Sequence, residues 1–294
     1  MSSRDHTTQQ IALQAQEVAK TGASTPLPEH PFLFCGPCQL ESRDHAMTLA
    51  EKISKEAALY GFTPVFKASF DKANRTKANS PRGIGIEDAI PIFEEIQREL
   101  NLPTLADIHL PEHPDQLGSC IDILQIPAFL CRQTDLLKAA GRSGRIVNIK
   151  KGQFLHPEDL AFAAEKVRSE PTSGPVLLCE RGTFFGYRDL VVDMRGLVKM
   201  RNSGFPVIFD GSHVVQSMGG SGGVSGGDSR FTHPLCRAAV ATGVDGIFIE
   251  THESPKTAPS DGDSMLPLKE LPRLLNCLQK IFHAIRDQEL GFPE

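Results

Sequence analysis

The chain has 294 residues, 40% of them hydrophobic and 23% charged. That is ordinary globular composition, with length for one large domain or two smaller ones; an α/β barrel commonly uses about 250 residues as one domain. A formal charge of -5 and a pI near 6.1 set up no field that would draw nucleic acid. No apolar run approaches the roughly 18 residues of a membrane-spanning helix. Seven cysteines, scattered and without a secretory signal, fit a reducing cytoplasm rather than a disulfide framework.

Residues 1–30 are rich in Gln, Ala, Ser and Thr, with a weak helical tendency over 11–20 that Pro26, Pro28 and Pro31 end. Asp5 and Glu17 argue against a transit peptide. The expectation is a partly ordered N-terminal extension followed by a catalytic domain over 31–294. From Pro31 on, short apolar runs alternate with amphipathic stretches. The strand candidates are 32–37, 63–68, 103–108, 121–126, 145–150, 175–180, 206–211 and 246–250. The helices expected after them are 42–60, 85–100, 112–119, 131–142, 157–169, 190–203, 232–242 and 268–287, the third being short. Runs such as Pro206-Val207-Ile208-Phe209 are almost wholly apolar, as parallel strands covered on both faces are. Eight β-α units predict an α/β fold, a closed (β/α)8 TIM barrel. An open doubly wound sheet is the alternative, but its Gly-x-Gly-x-x-Gly fingerprint after the first strand is missing. Residues 219–227, mostly glycine, read as a lid or a linker.

Barrel enzymes place their sites at the C-terminal strand ends. Read in turn, those ends carry Cys38; Lys67 and Ser69; Asp107 and His109; Gln125; Lys150; Arg181; His213; and Glu250. Lys67, Ser69 and Asp71 share the period-2 face of an extended chain, with Lys72 and Arg75 in the loop beyond. Lys67, Lys72, Lys150 and Arg181 form a candidate clamp for phosphate or carboxylate, Arg as a planar fork and Lys as point charges. Cys38, His213, Glu250 and Asp261 offer one thiolate, one imidazole and two carboxylates, a first shell for a divalent transition metal. The same cysteine belongs to Cys35-Gly36-Pro37-Cys38, which also reads as a thioredoxin-like redox motif between a strand and a helix.

Lys67-Ala68-Ser69-Phe70-Asp71-Lys72-Ala73-Asn74-Arg75 resembles the signature of the 3-deoxy-D-manno-octulosonate 8-phosphate (KDO8P) synthases. The resemblance spans roughly residues 32–288. It continues through Gly36-Pro37-Cys38, Asp107-Ile108-His109, Gln125-Ile126-Pro127-Ala128-Phe129-Leu130, Asn148-Ile149-Lys150-Lys151-Gly152-Gln153-Phe154, Glu180-Arg181-Gly182 and Ile249-Glu250-Thr251-His252. It implies a TIM-barrel transferase that condenses phosphoenolpyruvate with arabinose 5-phosphate, on the route to lipopolysaccharide. By that resemblance Lys67, Lys72, Gln125, Lys150, Gln153 and Arg181 hold phosphoenolpyruvate, and Ser69, Asn74, Arg75 and Asp107 hold the sugar phosphate. Pro127 and Ala128 complete the substrate wall, and Lys67, Lys72, His213 and Cys38 are the catalytic set. Arg132 reaches a neighbouring subunit's site, because the family forms homotetramers. Cys38, His213, Glu250 and Asp261 match the ligands of the metal-dependent branch, which takes Zn2+, Fe2+ or Mn2+; the metal-free branch has Asn in place of Cys38. The related 3-deoxy-D-arabino-heptulosonate 7-phosphate (DAHP) synthases, which use erythrose 4-phosphate, usually show Lys-Pro-Arg-Thr where this chain has Lys72-Ala73-Asn74-Arg75. A metal-dependent sugar-phosphate aldolase is a further alternative. The chain departs from the KDO8P pattern at Thr76-Lys77, where Ser-Ser is usual, and at Ser217-Met218-Gly219-Gly220, where a Pro-Gly step is usual.

Overall fold

The computed structural model describes residues 2–74, 82–184, 189–217 and 226–288. Eight parallel strands run in sequence order: β1 (Phe32–Gly36), β2 (Thr63–Lys67), β3 (Thr104–Asp107), β4 (Ile123–Ile126), β5 (Ile146–Lys150), β6 (Val176–Glu180), β7 (Val207–Asp210) and β8 (Gly246–His252). β8 pairs back onto β1, from Phe32↔Gly246 to Gly36↔Glu250, so the sheet closes into a barrel. That closure excludes the open doubly wound sheet. The outer layer is α2 (Arg43–Leu59), α3 (Ile86–Leu100), α4 (His113–Leu117), α5 (Thr134–Arg142), α6 (Leu160–Arg168), α7 (Met194–Asn202), α8 (Thr232–Thr242) and α9 (Leu271–Ile285). Most begin or end a few residues inside the ranges expected from the sequence; at α6 and α9 a single 3-10 turn, Pro157–Asp159 and Leu268–Glu270, replaces the first helical turn.

The period-2 alternation of the strands decides what the barrel holds. Leu33, Cys35, Phe66, Leu124, Val147, Leu178, Phe209 and Ile249 pack outward under the helices. Phe32, Phe34, Val65, Leu105, Ile123, Ile146, Leu177, Ile208 and Phe248 pack together inside. Two residues further along β2, β3, β4, β5, β7 and β8, on that same inner face, the apolar side chains give way to Lys67, Asp107, Gln125, Asn148, Asp210 and Glu250. The interior is therefore an apolar plug with a polar top. The last residue of β1 is Gly36, and the β1 and β2 backbones leave no room for a side chain there: a Cβ would lie 1.9 Å from the Lys67 carbonyl oxygen.

The N-terminal segment forms a helix, α1 (Ser3–Thr21), longer than the tendency read over 11–20. A capping box starts it, with Ser2 Oγ accepting from Asp5 N and the Asp5 carboxylate accepting from Ser2 N. The helix lies across the N-terminal mouth of the barrel. Arg4 Nε donates to Asp122 ahead of β4 at 2.8 Å, and Gln14 Nε2 donates to Asp245 ahead of β8 at 2.8 Å. Ile11 is fully buried against the inner cluster, a burial worth about 1.5–3 kcal/mol. Only Thr7, Ile11 and Val18 are buried along its length, so the apolar stripe is thin and the periodic signal weak.

Candidate active site

The C-terminal rim encloses a cavity of about 640 Å3. Of the residues singled out in the sequence, Lys67, Lys72, Asn74, Asp107, Gln125, Pro127, Ala128, Lys150, Gln153, Arg181, His213, Glu250 and Asp261 line it. Ser69 and Cys38 are fully buried behind its wall. Arg132 is exposed and lies outside the wall. Arg75, with Thr76 and Lys77, falls outside the described residues, as does most of the glycine-rich stretch over 219–227.

One side of the cavity is a continuous hydrogen-bonded arc. Lys72 Nζ donates to Ser69 Oγ at 2.9 Å, and Ser69 Oγ donates to Asp107. Gln125 Nε2 donates to the other Asp107 oxygen at 2.6 Å, and Asn148 Nδ2 donates to Gln125 Oε1 at 2.9 Å. Asp107 is held well below the usual carboxylate range: burial pushes it up, but Lys67 and Lys72 outweigh that. Burial likewise pulls the Lys72 ammonium down, yet Cys38, Glu250, Asp107 and Asp261 leave it raised, so it stays charged.

The floor is built on Phe248. Lys150 Nζ lies 3.3 Å from its ring centroid and Lys67 Nζ 5.2 Å, so one aromatic face supports two buried cations. Each also has a carboxylate: Lys67 pairs with Glu250, and Lys150 with Asp210. Asp210 additionally accepts from His213 N at 2.8 Å and Ser212 N at 3.1 Å, and meets His213 Nδ1 at 2.7 Å. This holds the imidazole with Nε2 facing Glu250 Oε1, 3.6 Å away. Among the described residues Lys67, Lys72, Lys150 and Arg181 thus stand beside Asp107, Asp210, Glu250 and Asp261, whereas the sequence presents the cations as a clamp on their own.

Cys38, Glu250 and Asp261 each offer a ligand atom within 4.8 Å of the others. Cys38 Sγ donates to Asp261 Oδ2 at 3.0 Å, and His213 stands beside the group through Glu250. Glu250 Oε2 is buried without a partner among the described residues, an arrangement that fits a cation in that role. Sulfur, nitrogen and carboxylate oxygen together suit a divalent transition metal. Burial and Glu250 push the Cys38 thiol up, so it is protonated until a cation replaces the proton. Asp261 is lowered to about 2: burial opposes ionisation, but Lys72, His213 and the Cys38 thiol favour it more. The redox reading of Cys35 and Cys38 finds no support here. Cys35 packs outward under the helices and Cys38 lies at the rim. Both are buried free thiols raised by desolvation, the reverse of what a reactive dithiol requires.

Glu41, His45 and His252 form a second close group. His252 Nδ1 accepts from Ser254 N at 2.9 Å, which leaves the proton on Nε2 to be donated to Glu41 at 2.9 Å. That tautomer has no lone pair for a metal at Nε2. The group ties the loop after β1, which carries Cys38, to the loop after β8, which carries Asp261.

Reading the polar groups at or just past each candidate strand end misses several side chains of the site. Asp210 and Asn148 sit one period-2 step beyond Ile208 and Ile146 and could have been counted from them. Gln216 accepts from Arg181 Nη2 at 2.6 Å and donates to Asp261 at 2.9 Å. Lys151 is fully buried; its Nζ donates to Thr183 Oγ1 at 2.9 Å and lies 3.5 Å from Glu180. It thereby joins the loop carrying Gln153 to the one following Arg181.

A closed parallel barrel whose polar top holds buried lysines, an arginine and a thiol-carboxylate group is the architecture of an enzyme acting on anionic substrates. The chain belongs to the DAHP synthetase I family, whose model matches residues 13–287. It is 50% identical over 268 residues to the 2-dehydro-3-deoxyphosphooctonate aldolase of Bartonella quintana (strain Toulouse), covering 91% of this chain and 96% of that protein. Proteins of the same name from Rhizobium meliloti (strain 1021) and Brucella melitensis biotype 1 are 52% and 51% identical. The first match covers 85% of this chain and 89% of the relative, the second 84% and 88%.

Proposed function

We propose that this enzyme condenses phosphoenolpyruvate with D-arabinose 5-phosphate and water, giving 3-deoxy-D-manno-octulosonate 8-phosphate and inorganic phosphate. The relatives' name denotes an eight-carbon acid phosphate, the sum of a three-carbon and a five-carbon substrate. A DAHP synthase would make a seven-carbon product, so the relatives favour arabinose 5-phosphate over erythrose 4-phosphate. The observation that carries the reading is on the cavity wall: Arg181 is buried, its Nη1 has no partner among the described residues, and Lys150 and Gln153 line the same cavity. Such a wall suits a small anion with both phosphate and carboxylate.

In this account Lys67, Lys72, Lys150 and Arg181, with Gln125 and Gln153, hold phosphoenolpyruvate. Ser69, Asn74, Arg75 and Asp107 orient the sugar phosphate, and Pro127 and Ala128 close the wall between them. The cations offset repulsion between two anionic substrates and align the reacting carbons. The methylene carbon of phosphoenolpyruvate attacks the sugar aldehyde, whose oxygen takes a proton. Water adds to the second carbon of the former enol and loses a proton. The hemiketal phosphate then releases phosphate by C–O cleavage. Cys38, His213, Glu250 and Asp261 would hold a divalent cation of the Zn2+, Fe2+ or Mn2+ type. When bound it would supply Lewis acidity at the water or the aldehyde.

The catalytic unit is the barrel of residues 31–294, with residues 1–30 as an extension sealing its lower mouth. Exposed Arg132 suits a contact to a neighbouring subunit's site in a homotetramer. Seven free thiols fit a reducing cytoplasm, and among the described residues no helix is long and apolar enough to cross a membrane. Phosphoenolpyruvate labelled with 18O in the bridging C–O–P oxygen tests the chemistry. Label in the released phosphate, and release only with both substrates present, is expected. Label retained in the organic product, or release without sugar phosphate, would sink the proposal.

A further inference from the structure

We propose that Gln216 is a positioning residue that couples the anion-binding arginine to the metal-binding carboxylate, so that a divalent cation and phosphoenolpyruvate strengthen each other's binding. The inference rests on the reading above that the rim takes both ligands. Gln216 follows the 3-10 turn His213–Val215 that leaves β7. Its backbone is fixed on two sides. Gln216 pairs with Gly227 in a short antiparallel ladder, and Ser217 bridges to Asp189, with a side-chain hydrogen bond of 2.6 Å. Its side chain is almost fully buried.

The amide faces two charges of opposite sign. Its oxygen accepts from Arg181 Nη2 at 2.6 Å, and its nitrogen donates to Asp261 Oδ1 at 2.9 Å. A flipped amide would set NH2 against the guanidinium and the carbonyl against the carboxylate, so the two neighbours dictate one orientation. Neutral amides alone among uncharged side chains present a carbonyl acceptor and an NH2 donor on one planar group. The contacts beyond Gln216 lead to both ligands. The other Arg181 nitrogen, Nη1, is buried with no partner among the described residues, in a side chain that lines the cavity. The other Asp261 oxygen, Oδ2, accepts from Cys38 Sγ at 3.0 Å. An unbroken path therefore runs from the anion clamp through Arg181, Gln216 and Asp261 to Cys38.

A ligand that fixes one end of this path also orders the amide and the group at its far end. The second ligand then meets a site already arranged, which is positive coupling without any large movement. Linkage requires the coupling to be reciprocal: the factor by which phosphoenolpyruvate tightens the cation equals the factor by which the cation tightens phosphoenolpyruvate.

The test uses full-length, metal-stripped protein titrated with Zn2+ against a chromophoric chelator, without and with saturating phosphoenolpyruvate. The converse titration follows phosphoenolpyruvate with and without Zn2+. Wild type should show the same factor in both directions, about fivefold or more. Gln216→Met fills similar volume and removes both hydrogen bonds. It should still bind each ligand separately, each about tenfold more weakly, with the coupling factor reduced to about twofold or less. Gln216→Asn keeps the chemistry one methylene short of the bridge and should show the same loss, which carries the test if the Met variant fails to fold. A wild-type coupling factor retained in the variants overturns the inference, as does wild type that binds both ligands with no coupling, and either leaves the proposed function standing. Wild type that binds no Zn2+ overturns the coupling together with the metal assignment, and wild type that binds no phosphoenolpyruvate overturns the proposed function itself and the coupling with it.

Discussion

Asp210→Asn is the substitution whose cost can be worked out most fully. Asp210 is completely buried and neutralises Lys150, itself 4% exposed, while also receiving two backbone N–H groups and facing His213 Nδ1. Asn keeps the shape and one acceptor oxygen but removes the charge, leaving a buried ammonium uncompensated. Breaking a buried pair in this way costs roughly 3–5 kcal/mol. With about 2.1 cal/mol/K of unfolding entropy per residue over 294 residues, the melting temperature should fall by roughly 5–8 °C. Asp193→Asn is the control: it removes an exposed pair with Arg195 and should shift melting by about 1 °C or less. Thermal melts at neutral pH measure both. The pH dependence has a definite sign. Burial pushes the Asp210 carboxyl up, but His213 and Lys150 pull it well below the usual carboxylate range. Its contribution is therefore complete above the ordinary carboxylate value of about 3.9 and is lost as pH falls through the lowered one. The gap between wild type and variant should hold from neutrality down to about pH 4 and narrow only below. Phosphoenolpyruvate, by pairing with Lys150, should restore more stability to the variant than it adds to wild type. A variant melting within about 2 °C of wild type at pH 7 would refute the claim that Asp210 sustains the buried lysine.

Arg181→Ala should raise the Michaelis constant for phosphoenolpyruvate and lower turnover, together by about ten- to a hundredfold for one charged hydrogen bond lost; unchanged steady-state kinetics would remove it from the clamp. Arg132→Ala should weaken arabinose 5-phosphate more than phosphoenolpyruvate. Mixed assemblies with an Arg181→Ala subunit should then recover activity above the additive value, and no recovery would leave the contact across subunits unsupported. Because the buried Cys38 thiol is raised, cation uptake should release a proton from it and tighten as pH rises towards that raised value. Titration in weak buffer reads the proton. Cys38→Ser should lose both the proton release and stoichiometric metal, whereas Cys38→Asn should lose the metal but retain more activity than the Ser variant. Unchanged metal content in Cys38→Ser would contradict the assignment.

The barrel was legible because its strands are apolar on both faces and its helices amphipathic, so the two periods alternate cleanly along the chain. Closure then brings eight distant strand ends together, which is why Lys67, Asp107, Gln125, Lys150, Arg181, His213 and Glu250 could be named before any coordinates. What stayed hidden depends on pairing. The lysines were visible, but that Glu250 and Asp210 already neutralise Lys67 and Lys150 follows only from barrel register. Asp210 itself lies inside the candidate strand 206–211, and a strand-end rule points beyond it to His213, three residues on and also polar. Gln216 could not be found by spacing at all. Its role comes from two loops that place Arg181 and Asp261 on either side of one amide. The α1 helix was faint because it seals the barrel with one central isoleucine rather than a broad apolar face.

The most direct measurement is product analysis of the full-length protein with phosphoenolpyruvate and a panel of aldose phosphates, with and without chelator. The account predicts an eight-carbon 3-deoxy-ulosonate phosphate and equimolar phosphate with arabinose 5-phosphate, little turnover with erythrose 4-phosphate, and loss of activity on chelation that Zn2+, Fe2+ or Mn2+ restores. A seven-carbon product from erythrose 4-phosphate as the main outcome, or full activity in protein shown to be metal-free, would contradict it.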